Sequence, residues 1–518
     1  MKVVTAAEMK SLDEYATSVY KIPSLLLMEN AARGLVDLVE SSFSRVRGKQ
    51  ITIVAGQGNN GGDGLAAARH FRMRGASVAI YLVTPEERVK GDAKVSLDIW
   101  RETHGTIYPE GTFTLNQLAA DIKSSDFVID AMLGTGVSRP VEGRCAEIIG
   151  VVNTFSRTII AVDIPSGISA DNGQVLGTAI KADATMTMAL PKRGHFMQDG
   201  LTHTGQLHVV DIGFPDALIN GADLKVALIG PDNIKGLLPR REKGAHKGTM
   251  GHLLVIAGAL GKQGAPQMTS LAALRSGAGL VTTALPKSIE QGFSLQNMEL
   301  MTLPLPETQT GSISIAAEKV IAGAIAGKRT VVIGPGLSQD PDVRTLVLNL
   351  IKTISIPMVI DADGLNALAS DLAILKQKQA PLILTPHPGE MARLTGTSAE
   401  AVQKDRFNLA AQFSATWDVI LVLKGPHTIV ALPDGTLWVN TTGNPGMATA
   451  GIGDALTGMI AGCLAQGLSP EHAAILGVYL HGRAGDLAAI EKGEAGLLTS
   501  DLIGKIPAAI IEYLKECK

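Results

Sequence analysis

At 518 residues the chain exceeds one ordinary core and, at about 100 to 200 residues per domain, predicts two domains. Its 46 Lys+Arg against 49 Asp+Glu give a formal net charge of -3, which excludes a surface built to attract nucleic acid or an anionic membrane and points to a small-molecule partner. Three scattered cysteines, Cys145, Cys463 and Cys517, exclude a disulfide framework and a Cys-rich metal site, and fit a reducing cytoplasm.

The first residues carry Lys2, Glu8, Lys10, Asp13 and Glu14 and lack the apolar core of a signal peptide. Helices are predicted over 6–19 and 24–43. Short Val/Ile runs ending in Gly, Asp or Pro follow as strands over 51–55, 78–83, 127–130, 159–163, 184–190 and 207–210, with a helix over 65–73 after the first of them. A mixed-polarity stretch, 216–251, holds the basic cluster Arg240, Arg241, Lys243, His246 and Lys247. A second strand series occupies 252–257, 331–333, 358–360, 382–384, 420–423 and 428–432. Everything from Ala450 onward reads as helical, and its apolar run 455–468 is too short and glycine-rich to span a membrane. With 57 glycines and only 4% aromatic residues, the pattern predicts an α/β protein whose parallel strands deliver loops to one edge. The boundary is placed near residue 225, giving domains over 1–224 and 225–518. The halves share a rhythm but no repeated motif, so the chain reads as a fusion of unlike domains.

Directly after the 51–55 strand comes Gly56-Gln57-Gly58-Asn59-Asn60-Gly61-Gly62-Asp63-Gly64. Such a turn offers backbone N–H groups and a helix N-terminus to an anion, and it contains a formal G-x-G-x-x-G. Its paired asparagines and Asp63 load it with polar side chains that a hydride-transfer fingerprint does not need. Asp130 closes a strand before Gly134-Thr135-Gly136-Val137-Ser138-Arg139-Pro140, and Asp163 closes one before Ile164-Pro165-Ser166-Gly167. Carboxyl ends of parallel strands are where open sheets bind ligands. Asn60, Asp130 and Ser166 form an all-oxygen set suited to a hard cation rather than zinc.

These motifs, with Met28-Glu29-Asn30-Ala31 upstream, resemble the NAD(P)H-hydrate epimerase family over most of residues 1–215. The resemblance implies a Rossmann-like domain in which Asn59, Asn60, Gly61, Gly62 and Asp63, with Gly134 to Pro140, hold the hydrated dinucleotide. It implies potassium on Asn60, Asp130 and Ser166, and substrate contact and catalysis by Asp163. The chemistry is consistent: a carboxyl acting as general acid helps the hydroxyl beside the ring nitrogen to leave, and readdition from the other face inverts the centre.

In the second half, Thr449-Ala450-Gly451-Ile452-Gly453-Asp454-Ala455-Leu456 runs from a Gly-rich turn into an apolar helix, where backbone amides surround a phosphate and Asp454 is placed to deprotonate an attacking alcohol. Lys424-Gly425-Pro426-His427-Thr428, Thr385-Pro386-His387-Pro388-Gly389-Glu390, Gly334-Pro335-Gly336, Asp361-Ala362-Asp363-Gly364-Leu365-Asn366 and 258–265 supply further strand-end segments, His387 being held rigid between two prolines. Together they resemble the ribokinase-like family and, within it, the ADP-dependent NAD(P)H-hydrate dehydratases, from about His246 to the C-terminus. By that resemblance the fold is two fused three-layer α/β/α domains. Ala265, Gly336, His387 and Asp454 contact the hydrated cofactor, while Lys424, Gly425, Pro426, His427, Thr428 and Gly453 bind the nucleotide, with magnesium balancing phosphate charge. Ile452 departs from the family's Gly-Gly-Thr-Gly-Asp and removes a hydroxyl from the phosphate loop.

The implied activity is cofactor repair: the first half epimerises hydrated NADH and NADPH, and the second dehydrates the S form with ADP, releasing AMP and phosphate. A cytoplasmic homo-oligomer with no nucleic-acid or membrane partner completes the expectation. The alternatives are a ribokinase-like small-molecule kinase with an accessory domain, marked by a stable phosphorylated product, and a nucleotide-binding regulatory module without turnover.

Overall fold

The computed structural model describes residues 1–296 and 298–516; Cys517 lies outside them. The chain separates into two units, Met1–Leu224 and Lys225–Lys518.

The first unit opens with the helix Ala6–Ser18, started by a capping box: Thr5 Oγ1 accepts from the Glu8 amide at 3.1 Å, and the Glu8 carboxylate accepts from the Thr5 amide at 2.7 Å. Seven parallel strands follow in the spatial order Thr106–Tyr108, Ser77–Leu82, Gln50–Ala55, Phe127–Ala131, Ile159–Val162, Ala184–Met188, Gln206–Val210. Alternation along these strands feeds two cores. Ile51, Ile53, Ile80 and Ile129 pack with the helices Ser24–Ser42, Asn59–Met73 and Gly91–Glu102. Val54, Tyr81, Val128 and Ala161 pack on the opposite face with Leu115–Ser124 and Gly143–Phe155. The sheet is thus the middle of three layers. Its strand order reverses between Gln50–Ala55 and Phe127–Ala131, the crevice where open sheets take ligands.

The second unit's sheet runs Val226–Leu228, Leu437–Val439, Ile429–Ala431, Ile420–Leu423, Leu382–Leu384, Met358–Ile360, Thr330–Ile333, His252–Ile256, Leu280–Pro286, Met301–Leu305. Pairing is parallel except around Ile429–Ala431, which is antiparallel to both neighbours. One face packs under Gly264–Arg275, Ile452–Ala465, Pro470–Lys492 and Thr499–Glu516. Small residues let the first two of these helices touch: a Cβ on Gly458 would stand 2.1 Å from the Thr269 carbonyl oxygen. Here the order reverses between His252–Ile256 and Thr330–Ile333.

Among the described residues, sequence reasoning omitted six strands, one of them the two-residue Lys2–Val3. Thr106–Tyr108, Leu280–Pro286 and Met301–Leu305 lack an unbroken Val/Ile run, and the last is an edge strand that tolerates Pro304. Val226–Leu228 and Leu437–Val439 are only three residues each. The helix predicted over 65–73 begins at Asn59, so Asn59, Asn60, Gly61 and Gly62 form its first turn and not a preceding loop, with Asp63 just beyond.

Candidate active sites

In the first unit the close approach of strand ends requires glycine. A Cβ on Gly56 would lie 1.9 Å from the Met132 carbonyl oxygen, and one on Gly61 would lie 2.0 Å from the Gly56 oxygen. The helix start is thereby pressed against the loop after Phe127–Ala131. Asn60 Nδ2 donates to the Leu133 carbonyl at 3.0 Å, and its Oδ1 is buried with no hydrogen-bond partner. Asp130 is fully buried; its Oδ1 accepts from Ser166 Oγ at 2.6 Å and its Oδ2 from the Ser166 amide at 2.8 Å. Ser166 Oγ in turn accepts from the Leu133 amide at 2.9 Å. Asn60, Asp130 and Ser166 are therefore brought together around Leu133. Burial pushes the Asp130 carboxyl up to about 6, against the hydrogen bonds from Ser166 and Met132 that lower it.

Asp163 follows its strand with φ +64°, a left-handed conformation costing on the order of 1–3 kcal/mol for a residue other than glycine. Lys192, fully buried, forms an ion pair with Asp163 Oδ1, which also accepts from the Met188 amide at 3.0 Å and Thr187 Oγ1 at 3.1 Å. Burial alone would raise this carboxyl, but the Lys192 ammonium and the Met188 amide hold it below its ordinary value. His195 Nδ1 accepts from the Lys192 amide at 3.1 Å, so Nε2 carries the proton and donates to the Asp163 carbonyl, also at 3.1 Å. Burial and Lys192 bring the His195 pKa down to about 3, so the ring stays neutral. Burial and the Asp163 charge push Asp63 well above its ordinary value, and burial takes Asp13 to about 6.

Of the remaining residues singled out in this half, Gly134 packs on Asn60, 3.1 Å from a Cβ built on the glycine to the Asn60 Cβ. Asn59 begins the helix, exposed, and Gly62 lies in its first turn, with Asp63 just beyond. Thr135, Gly136, Val137, Ser138, Arg139 and Pro140 continue the loop, with no side-chain hydrogen bond to Asn60 or Asp163 among the described residues. Sequence reasoning missed Asp13, Thr187, Lys192 and His195. Lys192 and His195 sit in the short turn Arg193–Phe196 and just before it, where no periodic pattern marks them.

In the second unit the helix Ile452–Ala465 starts at Gly451, which has φ +86° and approaches Met268 too closely for any side chain. Gly453 and Asp454 form its first turn. Lys424, at the end of Ile420–Leu423, places Nζ 2.7 Å from Asp361 Oδ1 and 3.7 Å from Glu390 Oε2. Thr457 Oγ1 donates to Asp361 Oδ2 at 2.8 Å, and a Cβ on Gly453 would lie 3.1 Å from Lys424 Nζ. Burial would lower the Lys424 pKa, but Asp361 and Glu390 raise it above its ordinary value. Burial and the Asp361 charge push the Asp454 carboxyl up to about 7, with Lys424 opposing. His387 caps the helix Pro388–Thr395: its Nδ1 accepts from the Gly389 amide at 3.0 Å and the Glu390 amide at 3.3 Å, leaving the proton on Nε2. Burial lowers its pKa, the neighbouring Glu390 acting against this.

Gly336 has φ +65°, and a Cβ there would lie 3.3 Å from the Ala265 Cβ, so these two meet at the reversal of the sheet. The loop after Lys424 is shaped from below by Arg406, which is buried and donates to the carbonyls of Pro426 at 2.6 Å and Leu423 at 3.2 Å. Turning those carbonyls inward is what places Gly425 and Pro426. Thr428 Oγ1 bonds the Gly425 carbonyl at 3.1 Å, and the His427 ring packs toward the Asn440 carbonyl at 3.2 Å. The carbonyl of Ile452 accepts from His481 Nε2 at 3.0 Å, so the residue that breaks the family pattern is anchored through its backbone. Asp361 and Glu390 lay within motifs already noted, but Thr457 and Arg406 carried no sequence signal. Asp361 ends a strand as Asp130 and Asp163 do, which is the signal that identifies it. A cleft of about 690 Å³ lies at the opposite, amino-terminal ends of Leu382–Leu384 and Ile420–Leu423, away from this cluster.

Two family models match the chain in order: YjeF-related protein N-terminus over residues 24–194, and NAD(P)H-hydrate dehydratase over 253–508. The bifunctional NAD(P)H-hydrate repair enzyme Nnr of Moorella thermoacetica is 44% identical over 98% of this chain and 96% of its own length. The protein of the same name from Thermofilum pendens is 38% identical over 98% and 96%. Among solved structures, the ADP/ATP-dependent NAD(P)H-hydrate dehydratase of Bacillus subtilis co-crystallised with ATP/Mg2+ is 32% identical, covers 56% of this chain and 99% of its own, and has a TM-score of 0.49.

Proposed function

The chain belongs to the bifunctional NAD(P)H-hydrate repair enzymes, and we infer that its first half interconverts the R and S forms of hydrated NADH and NADPH while its second half dehydrates the S form with ADP. Both halves have matching family models and full-length relatives carry both, so the kinase reading is not favoured.

The observation that carries the dehydratase chemistry is Asp454, a carboxyl with a pKa of about 7 in the first turn of a glycine-started helix. A base with its pKa near the working pH combines adequate ionisation with proton affinity. Asp454 takes the proton of the ring hydroxyl as that oxygen attacks the terminal phosphorus of ADP, and AMP leaves. Phosphate then departs from the ring carbon, the ring nitrogen lone pair assisting, and loss of a proton from the adjacent carbon restores the dihydronicotinamide. Ala265, Gly336 and His387 contact the hydrated ring in this reading. The backbone of Lys424 to Thr428, turned by Arg406, and Gly453 receive the nucleotide, whereas the Lys424 ammonium holds Asp361 and Glu390. Among the described residues no three carboxylate, histidine or cysteine side chains form a ready metal site. A magnesium ion here would arrive on the ADP phosphates rather than in a protein cage.

In the first half, Asn59 to Asp63 and Gly134 to Pro140 receive the hydrated dinucleotide, and Asp163 faces the ring. Among the described residues Asn60 Oδ1 has no hydrogen-bond partner and the buried Asp130 carboxylate is bonded by Ser166 and Met132 alone, which fits a cation. Potassium would be held by Asn60, Asp130 and Ser166, supplying the positive charge that the buried carboxylate lacks and tying the helix start to the loop.

We place the protein in the cytoplasm, in keeping with the free thiols Cys145 and Cys463. No helix among the described residues is long and apolar enough to cross a membrane. A homo-oligomer is supported by the exposed apolar run Tyr15, Val19, Tyr20, Leu25 and Leu26, which sedimentation of a Leu26→Lys variant tests.

The direct assay follows dihydronicotinamide absorbance in a mixture of both hydrate epimers with ADP, ATP or no nucleotide. Full recovery with ADP is expected, stopping at the S fraction in Asp163→Ala and absent in Asp454→Ala. No recovery by the intact protein with any nucleotide overturns the repair reading.

A further inference from the structure

The turn that begins the helix Ile452–Ala465 is reached through residues 442–451, a segment that is irregular apart from the short turn Pro445–Met447. Its path is set by one face of the helix Pro470–Lys492. Thr442 Oγ1 donates to the Tyr479 carbonyl at 3.0 Å, and the Gly443 amide and Asn444 Nδ2 donate to the Asp486 carboxylate at 3.1 and 3.0 Å. Glycines let the segment lie against that helix: a Cβ on Gly482 would stand 2.2 Å from Thr442 Oγ1, and one on Gly485 would stand 2.3 Å from Met447 Sδ. Where the segment enters Ile452–Ala465, two side chains grip its carbonyls. Thr499 Oγ1, at the start of Thr499–Glu516, donates to Ala450 at 2.7 Å, and His481 Nε2 donates to Ile452 at 3.0 Å. Both side chains are buried.

A trans peptide points its N–H opposite to its C=O, and there are no cis peptide bonds among the described residues. Holding the Ala450 and Ile452 carbonyls therefore turns the amides of Gly451 and Gly453 away from Thr499 and His481. Gly453 borders the Lys424–Asp361 pair, a Cβ there standing 3.1 Å from Lys424 Nζ. No side chain caps this helix, and the first amide taken up in it among the described residues is that of Ala455, on the Gly451 carbonyl at 3.0 Å. Ile452 adds no hydroxyl, so what this turn offers an anion is backbone N–H. We propose that His481 and Thr499 are positioning residues of the dehydratase, fixing the Gly451 and Gly453 peptides so that their amides meet the ADP phosphates without rearrangement. This rests on the dehydratase reading above and deepens it.

Neither residue touches ADP in this arrangement; each acts through the carbonyl it holds. Burial brings the His481 pKa down to about 4, so the ring is neutral and its one proton sits on Nε2, where the Ile452 carbonyl accepts it. An uncharged donor orients the peptide without drawing the phosphate to itself. The Lys424–Thr428 loop is built the same way, with Arg406 beneath it donating to the Leu423 and Pro426 carbonyls. Both nucleotide segments are thus gripped by their carbonyls. Fixing the donors before the ligand arrives removes the ordering cost from binding and aims them where charge develops on the phosphates.

The test uses the full chain with purified S hydrate, varying ADP and hydrate separately, and measures ADP binding alone by calorimetry. Thr499→Val keeps the shape of the side chain and removes its donor. It should weaken ADP binding and lower kcat/KM for ADP by up to about 10²-fold, the scale on which a misplacement of about an ångström acts. KM for the hydrate should stay near its wild-type value. Thr499→Ser keeps the hydroxyl and should recover most of the loss. His481→Met should behave as Thr499→Val does, and His481→Gln, whose amide nitrogen can reach the place of Nε2, should recover part of it. The second-half transition in thermal unfolding reports that each variant is folded. A folded Thr499→Val with wild-type ADP binding and kcat/KM overturns the proposal. So does a loss that falls equally on ADP and hydrate and that Thr499→Ser fails to restore. An intact protein that never dehydrates S hydrate with any nucleotide overturns instead the dehydratase reading beneath it.

Discussion

Lys192 and Lys424 are both buried ammonium groups set among carboxylates, yet the strand-end and helix-start carboxyls beside them shift in opposite directions. Lys192 spends its donors on one carboxylate and two neutral oxygens, and holds the Asp163 carboxyl below its ordinary value. Lys424 stands between Asp361 and Glu390, and its charge also opposes the rise in the Asp454 pKa, which stops at about 7. One half thus keeps its strand-end carboxylate charged, while the other holds a carboxyl near neutrality. The comparison teaches that the number of carboxylates around a buried lysine matters less than how its three protons are distributed.

The largest effect that tests this contrast is Asp454→Asn. Removing the base should lower ADP-dependent dehydration by about 10²- to 10⁴-fold while epimerisation continues, measured on S hydrate and on the epimer ratio separately. Equal loss of both activities would break the division of labour. Next comes Lys424→Met, which strands Asp361 and Glu390 without their cation. Unpairing a buried charge costs about 3–5 kcal/mol, so the second-half transition in thermal unfolding should fall steeply. Lys192→Met should cost less, because it unpairs one carboxylate, Asp163, where Lys424→Met unpairs both Asp361 and Glu390.

The sheets were legible in the sequence because buried parallel strands are near-continuous Val/Ile runs, and their carboxyl ends announced Asp130, Asp163, Gly334 to Gly336 and Lys424. Edge and polar strands such as Met301–Leu305 and Thr106–Tyr108 lack that pattern. The charge balance at either site was not legible. Asp13 belongs to the first helix, far along the chain from Asp63 and Asp163, and Lys192 precedes a short turn. Only the fold places them within range of one another. For the same reason the sequence assigned catalysis to Asp163, and gave Asp63 only a place in the substrate loop, without showing the buried lysine that sets the charge between them. In the second half Arg406 begins a helix, and nothing in its neighbours shows that its guanidinium shapes the Lys424–Thr428 loop.

A smaller effect, about tenfold per pH unit, sharpens the contrast directly. Asp454 must be ionised to act as base, so dehydration kcat/KM should rise with pH below about 7 and level off above it. Epimerisation, with the Asp163 carboxyl held below its ordinary value by Lys192, should stay level across the same pH range. Lys424→Met removes a charge that lowers the Asp454 pKa, so in any folded fraction the ascending limb should move to higher pH. A limb that moves the other way, or two halves with the same profile, would remove the contrast between Asp163 and Asp454.

The smallest effect concerns Asp130, a buried carboxylate with no lysine among its hydrogen-bond partners in the described residues. Asp130 draws its hydrogen bonds from Ser166 and Met132, all neutral, while Asn60 Oδ1 has no partner. If potassium supplies the missing charge, replacing sodium by potassium should raise the melting temperature of the first-half transition, because a ligand that binds only the folded state stabilises it by about 2.7 kcal/mol at a hundred times its dissociation constant. Asn60→Ala removes one oxygen and should shrink that rise, whereas Asp130→Asn should abolish it, since a neutral amide no longer needs a counter-ion. The second-half transition, whose carboxylates Asp361 and Glu390 already have Lys424, should not respond to potassium in any of the three proteins. An equal response in both transitions would mean that the ion acts on the chain at large and that Asp130 is stabilised by its hydrogen bonds alone.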